Sequence, residues 1–214
     1  PVINLLEGHP RQQQQVLEDN LEILKLVDEL GSGSRGYRRH RQTALKNLVS
    51  EIYSRPRVTE ALKLLPGLGL SAGFALDLTT TDELGNTWDF TKDVMKDKAR
   101  KKVETEKPML LIGSPSCTAF CQWQALNAAM GKGDEKKLEA LWLEAKAHLE
   151  FVTELYQMQL DSKRYFLHEH PAGATSWQLD CVQKLLATAS VERVNGDQCQ
   201  YGQTDSAGSP IRKA

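Results

Sequence analysis

Two short apolar runs that break off into chemistry-bearing turns constrain this chain more than any other feature. Leu110-Leu111-Ile112 ends in Gly113-Ser114-Pro115-Ser116-Cys117, and Tyr165-Phe166-Leu167 ends in His168-Glu169-His170-Pro171. Runs this short and continuous read as strands buried on both faces, the kind a parallel sheet needs. In open α/β sheets ligands bind outside the carboxyl ends of the strands. A cysteine at one strand end and a glutamate at another therefore mark a candidate site.

The rest of the chain supplies the layers such a sheet requires. Residues 11–30 carry Leu17, Leu21, Leu24, Val27 and Leu30 at helical spacing, and Gly31-Ser32-Gly33-Ser34 ends the pattern as a linker. A second helix is predicted over 37–53, with Leu45, Leu48, Val49 and Ile52 on one face, ended by Arg55-Pro56. A short third helix over 57–65 closes at Pro66-Gly67. Strands are predicted over 74–78, 109–112, 165–169 and 191–194, with those ending at Asp77, Gly113 and Glu169 expected as neighbours in the sheet. Helices are predicted over 92–106, 123–130 and 135–160, and from the Thr175-Ser176 cap to about Ala187. The alternation gives an α/β fold, a Rossmann-like and mostly parallel sheet flanked by helices, with a helical N-terminal arm. The expected division is 1–66 for the arm and 67–214 for the α/β domain.

Composition narrows the function classes. A net charge of −1 excludes a globally basic nucleic-acid binder, though it leaves local patches open. No stretch reaches the roughly 18 apolar residues that span a bilayer, so no membrane insertion is expected. The chain is large enough to fold without staples, so Cys117, Cys121, Cys181 and Cys199 read as free thiols of an intracellular protein. Cys117 and Cys121 enclose three residues and no second close pair follows, which argues against structural zinc; no metal site is expected. The first residue is proline, which reads as a fragment of a longer polypeptide.

Each candidate residue has a bland alternative. Cys117 follows a Gly-Ser-Pro-Ser turn and precedes a predicted helix start, where partial positive charge favours a thiolate; the alternative is a small buried hydrophobe. Glu169 is either a ligand-binding carboxylate or a buried, paired acid. His168 and His170 lack a placeable third metal ligand, and orienting the loop suits them better. Asp77 and Asp89 end apolar runs, where an acid holds a ribose or amino group or builds a turn. Gln198 and Gln200 suit reading a base or shaping a tight loop. The basic run Arg35, Arg38, Arg39 and Arg41 suits phosphate contact or a solvated helix face. A zinc-dependent nucleobase deaminase needs His-x-Glu followed by Pro-Cys-x-x-Cys. Here Glu169 directly follows His168 and the cysteine loop precedes it, so that pattern fails.

Over about residues 73–202 these segments resemble the cytosine carbon-5 DNA methyltransferases. The Leu111–Phe120 stretch is similar to the family's strand, Pro-Cys turn and Phe-Ser segment. Glu169-His170-Pro171 resembles its Glu-Asn-Val segment, and Tyr201-Gly202 its later tyrosine-glycine loop. The resemblance implies that Cys117 attacks carbon 6 of a flipped-out cytosine and that Glu169 holds the ring nitrogen. It implies S-adenosylmethionine as methyl donor, with Asp77, Asp89, Ser114 and Pro115 at the cofactor. It also implies nucleic acid as a partner, met by Arg35, Arg38, Arg39, Arg41, Gln198 and Gln200.

Departures point to a degenerate member. No Gly-rich loop follows the strand at 74–78, and only about 35 residues separate Asp77 from the cysteine turn. Serine precedes Cys117 where the family has proline, and the residues up to Ala214 are too few to be expected to hold the family's recognition domain. Weak or no cofactor binding by this chain alone is the expectation. The same three loops also look like segments embedded in retroelement-type polyproteins of some protists. The competing reading is a non-catalytic interaction module that keeps the fold and meets a protein partner through its N-terminal helices.

Overall fold

The computed structural model describes residues 47–121, 124, 130 and 134–210. The helix expected over 11–30, the first ten residues of the one expected over 37–53, and the basic run lie outside the described residues. So does the 123–130 helix apart from Gln124 and Met130.

Four strands form one all-parallel sheet: β1 (Leu48–Ile52), β2 (Ser71–Leu76), β3 (Leu110–Gly113) and β4 (Tyr165–His168), in the order β2-β1-β3-β4. Helices α1 (Val58–Lys63), α2 (Asp93–Glu106) and α3 (Glu135–Asp161) make the crossovers, and α4 (Asp180–Leu186) follows β4. The chain steps one way from β1 to β2 and the other way thereafter. Right-handed crossovers then put α1 on one face and α2 and α3 on the other. The packing agrees: Leu62 of α1 meets Val49 and Ile112, whereas Ala99, Val103, Leu149 and Val152 meet Ile52, Leu76 and Leu111.

β1 corrects the helix expected over 37–53. Leu48, Val49 and Ile52 match helical spacing, with Ser50 and Glu51 as an apparent polar face, but all five residues are buried. Glu51 is 1% exposed because the chain just after the strand returns to hold it. Its carboxylate accepts from the Thr59 hydroxyl at 2.7 Å and from the backbone N–H groups of Thr59 at 2.8 Å and Arg57 at 3.1 Å. Burial pushes this carboxyl up, and the Thr59, Val58 and Arg57 hydrogen bonds together outweigh it, leaving it below its ordinary value. The sheet thus reaches back from residue 67 to Leu48.

Three further expectations need adjusting. β2 begins at Ser71 rather than 74. The strands ending beside Asp77 and at Gly113 are not neighbours, since β1 lies between them. No strand forms over 191–194, where Glu192, Arg193 and Val194 are exposed. The Arg193 guanidinium instead lies 4.2 Å from the Trp177 ring centroid.

The long helix is where the sequence put it. Asp134 caps it by accepting from the N–H groups of Lys136 at 3.1 Å and Lys137 at 3.4 Å. Its buried Tyr156 stacks on Phe166 of β4 at 4.5 Å, a pair worth about 1 kcal/mol beyond its buried area. That close approach needs Gly113, because a methyl group there would overlap the Tyr156 hydroxyl and press on Val152.

Candidate functional site

Parallel strands deliver all four strand ends to one edge. Beyond β1 comes Tyr53, beyond β2 Asp77, beyond β3 the Ser114–Cys117 turn, and beyond β4 Glu169 and His170. The direction of chain travel reverses between β1 and β3, the place where open α/β sheets form a ligand crevice.

A crevice of about 590 Å3 occupies that place. Asp77, Asp89 and Ser114 line it together, with Ser116, the aromatic residues Tyr53, Trp88 and Phe90, and Glu144 and His148 of α3. Asp77 is held by one oxygen, Oδ1, which accepts from the Thr79 N–H at 3.0 Å and its hydroxyl at 2.7 Å. Asp89 accepts from the Thr91 hydroxyl at 2.6 Å and pairs with Lys92 at 3.2 Å. Those Thr91 bonds, with Lys92 beside them, hold its carboxyl below the usual range. Ser114 is fixed by its N–H, which donates to the Ile52 carbonyl at 3.2 Å. Pro115 is buried and does not line the crevice.

Tyr53 takes the position that a glycine commonly fills after the first strand of such a fold. Its φ of 56° is left-handed, a conformation that costs a non-glycine residue about 1 kcal/mol or more. Its ring packs on Phe90 at 4.8 Å and its hydroxyl lies 2.9 Å from Nδ1 of His148. Burial pushes the Tyr53 hydroxyl far above its ordinary value. Burial also lowers His148, against the opposing pull of Glu144, so the imidazole is neutral near pH 7.

The crevice is acidic: Asp77, Asp89 and Glu144 line it, and no lysine or arginine does among the described residues. The N–H groups that open α1, which a phosphate would use in a dinucleotide fold, are already taken by Glu51. The arrangement suits a ligand carrying hydroxyls and positive charge, stacked between aromatic walls, and disfavours a polyphosphate.

Cys117 and Glu169 rise beside the crevice on adjacent strands and do not line it. The Glu169 N–H donates to the Gly113 carbonyl at 3.0 Å, and the Thr175 hydroxyl reaches the Phe120 carbonyl at 3.4 Å, tying the two loops together. Glu169 is exposed and Cys117 half-buried. Just after Cys117 comes a single 3-10 turn, Thr118–Phe120, too short to carry a macrodipole of its own, and the helix start expected beyond it lies outside the described residues apart from Gln124.

Under these loops sit His168 and His170. Nδ1 of His170 lies 2.6 Å from the Ser176 hydroxyl, and Nδ1 of His168 lies 3.2 Å from the Tyr156 hydroxyl. Both Nε2 atoms are buried, and among the described residues neither has a hydrogen-bond partner. Burial, then the neighbouring His170 ring, pushes His168 down to about 3. Burial lowers His170 too, although Glu169 and the Pro115 and Ser116 backbone favour its charged form. These rings pack beneath the loops as neutral groups, and no cluster of three metal-ligating side chains exists among the described residues. All four cysteines are free.

Gln198 and Gln200 belong to a 3-10 turn, Gln198–Tyr201, that closes on itself through the Gln200 N–H to Asp197 carbonyl bond at 3.0 Å. Gln200 does not line the crevice. Arg35, Arg38, Arg39 and Arg41 fall outside the described residues. Sequence reasoning missed Tyr53, Glu144 and His148. Tyr53 was findable, since it ends an apolar run before Arg55-Pro56 as Asp77 ends another. No helix among the described residues is long and apolar enough to cross a membrane. No protein-family model, curated protein or solved structure matches this chain.

Proposed function

We propose that this is a methyltransferase-like domain that holds S-adenosylmethionine in the crevice and presents the Cys117 and Glu169 loops to nucleic acid. The observation that carries the reading is that Asp77, Asp89 and Ser114 line one aromatic-walled crevice at the reversal point of the sheet.

The strand order strengthens the likeness that the sequence offered. With β1 as the first strand, Asp77 ends the second, the position from which an acid reaches ribose hydroxyls in nucleotide-binding sheets. The spacing from Asp77 to Cys117 then has to hold only α2 and β3, and no longer counts against a cofactor pocket. The acidic lining complements the sulfonium and ammonium groups of the donor. The turn after β1 still lacks glycine, so weak affinity remains the expectation.

In this reading Cys117 adds to carbon 6 of an extruded cytosine and Glu169 holds the ring nitrogen. A bound S-adenosylmethionine would supply the methyl group for carbon 5 and leave as the neutral thioether, and loss of the carbon-5 proton to water would then release the cysteine. Calorimetric titration with S-adenosylmethionine tests the pocket. Trapping on DNA that carries 5-fluorocytosine tests the nucleophile.

A further inference from the structure

β4 is the last strand of the sheet, and among the described residues no strand pairs with its outer side. The Tyr165 N–H donates to Met109 and the Glu169 N–H to Gly113, so alternation along the ladder turns the peptide groups of Phe166 and His168 toward the open edge. Edge strands are ordinarily blunted by lysine, proline or a bulge. β4 reads Tyr-Phe-Leu-His, carries none of these, and leaves Tyr165 67% and Leu167 53% exposed.

Beside this edge lies a groove of about 490 Å3, away from the crevice described above. Leu160 of α3, Val182 and Leu185 of α4, and Trp177 give it apolar walls, and residues 190–194 form its far side. Lys163, Arg164 and Arg193 line it against one carboxylate, Glu192. None of the three cations is in an ion pair among the described residues. Arg164 is partly desolvated, which lowers its pKa, and its Nε donates to the neutral Gln159 amide at 2.7 Å. Arg193 is pinned over Trp177 by a bond to the Ala172 carbonyl at 2.6 Å, which orients its charge without neutralising it.

We infer that the open edge of β4 docks an extended acidic peptide, which adds to the sheet as a fifth strand and sets its carboxylates against Arg164 and its neighbouring cations. Unpaired backbone groups supply the affinity of strand addition, apolar walls take alternate side chains, and the uncompensated guanidinium selects sign. The site is independent of the crevice and of any methyl transfer.

The test uses the full chain and three synthetic seven-residue peptides, followed by isothermal titration. One alternates glutamate with valine, one replaces glutamate by lysine, and one repeats the first with N-methylated alternate peptide bonds. The glutamate peptide is expected to bind with micromolar affinity, at least about tenfold tighter than either other peptide. An Arg164→Glu variant with an unchanged melting temperature should reverse the preference between glutamate and lysine. Equal binding of the lysine or N-methylated peptide overturns the proposal, and so does no binding up to millimolar peptide. Self-association of the chain that a Leu167→Lys change abolishes would give the edge to a second copy, and equally overturns it.

Discussion

The Tyr53 hydroxyl lies 2.9 Å from Nδ1 of His148, joining the end of β1 to helix α3 across the crevice that both residues line. Nothing else in the structure shows so directly that the left-handed Tyr53 is held by its surroundings. Replacing Tyr53 with phenylalanine keeps the ring packing on Phe90 and removes the bond, leaving a half-buried imidazole nitrogen unpaired. The variant should lose about 1 kcal/mol of stability in urea unfolding. Unchanged stability would show that the bond does not hold the strand end.

Gly113 and Tyr156 should prove coupled. Gly113→Ala places a methyl group against the Tyr156 hydroxyl and is expected to cost about 1–3 kcal/mol as overpacking. Tyr156→Phe removes the hydroxyl oxygen, so the double variant should be more stable than the sum of the single changes predicts. Strict additivity in denaturant titrations would contradict the packing described.

Acid should destabilise the fold well above the carboxylate range. His168 is held down to about 3 by burial and the His170 ring, against an ordinary value of 6.5. Between those values the unfolded chain binds a proton that the folded chain does not. Stability is therefore full above about pH 6.5 and falls on acidification, by about 1.4 kcal/mol per pH unit from this group. Glu51, lowered from 4.5, adds a loss of the same sign below that value, as its carboxylate protonates and releases Thr59. Urea midpoints at several pH values measure both. A His168→Gln variant should flatten the profile between about pH 6 and 4.5, and an unaltered slope would contradict the assignment.

Cys117 separates chemistry from architecture. It is half-buried, and among the described residues no hydrogen bond engages its thiol. Cys117→Ser should leave the melting temperature nearly unchanged while abolishing any covalent complex with 5-fluorocytosine DNA. A variant that still traps DNA would rule out Cys117 as the nucleophile.

Much of this architecture was legible in the sequence wherever a strand read as an unbroken apolar run. Leu110–Gly113 and Tyr165–His168 announce themselves, and the long helix is visible in its leucine stripe and its Asp134 cap. β1 was not legible, because Ser50 and Glu51 interrupt its apolar run and imitate the polar face of a helix. Their burial depends on partners the sequence does not advertise, above all Thr59 reaching back to Glu51. That one misreading hid the first strand, made Asp77 look like the end of it, and concealed Tyr53. The opposite error occurred at 191–194, where valines suggest a strand and Arg193 is instead drawn onto Trp177. Asp77, Asp89 and Ser114 were named from strand-end logic alone. That they share one crevice, with α3 as its far wall, is a tertiary fact no local pattern carries.

The most direct test of the account is calorimetric titration of the full chain with S-adenosylmethionine, with ATP and the Asp77→Ala variant alongside. The account predicts one site with a dissociation constant below about 100 µM, corresponding to roughly −5.5 kcal/mol or better. Binding should weaken at least about tenfold in the variant, and ATP should not compete, because the crevice is acidic and Glu51 occupies the N–H groups a phosphate would need. No heat up to millimolar ligand, equal binding by the variant, or displacement by ATP would contradict it.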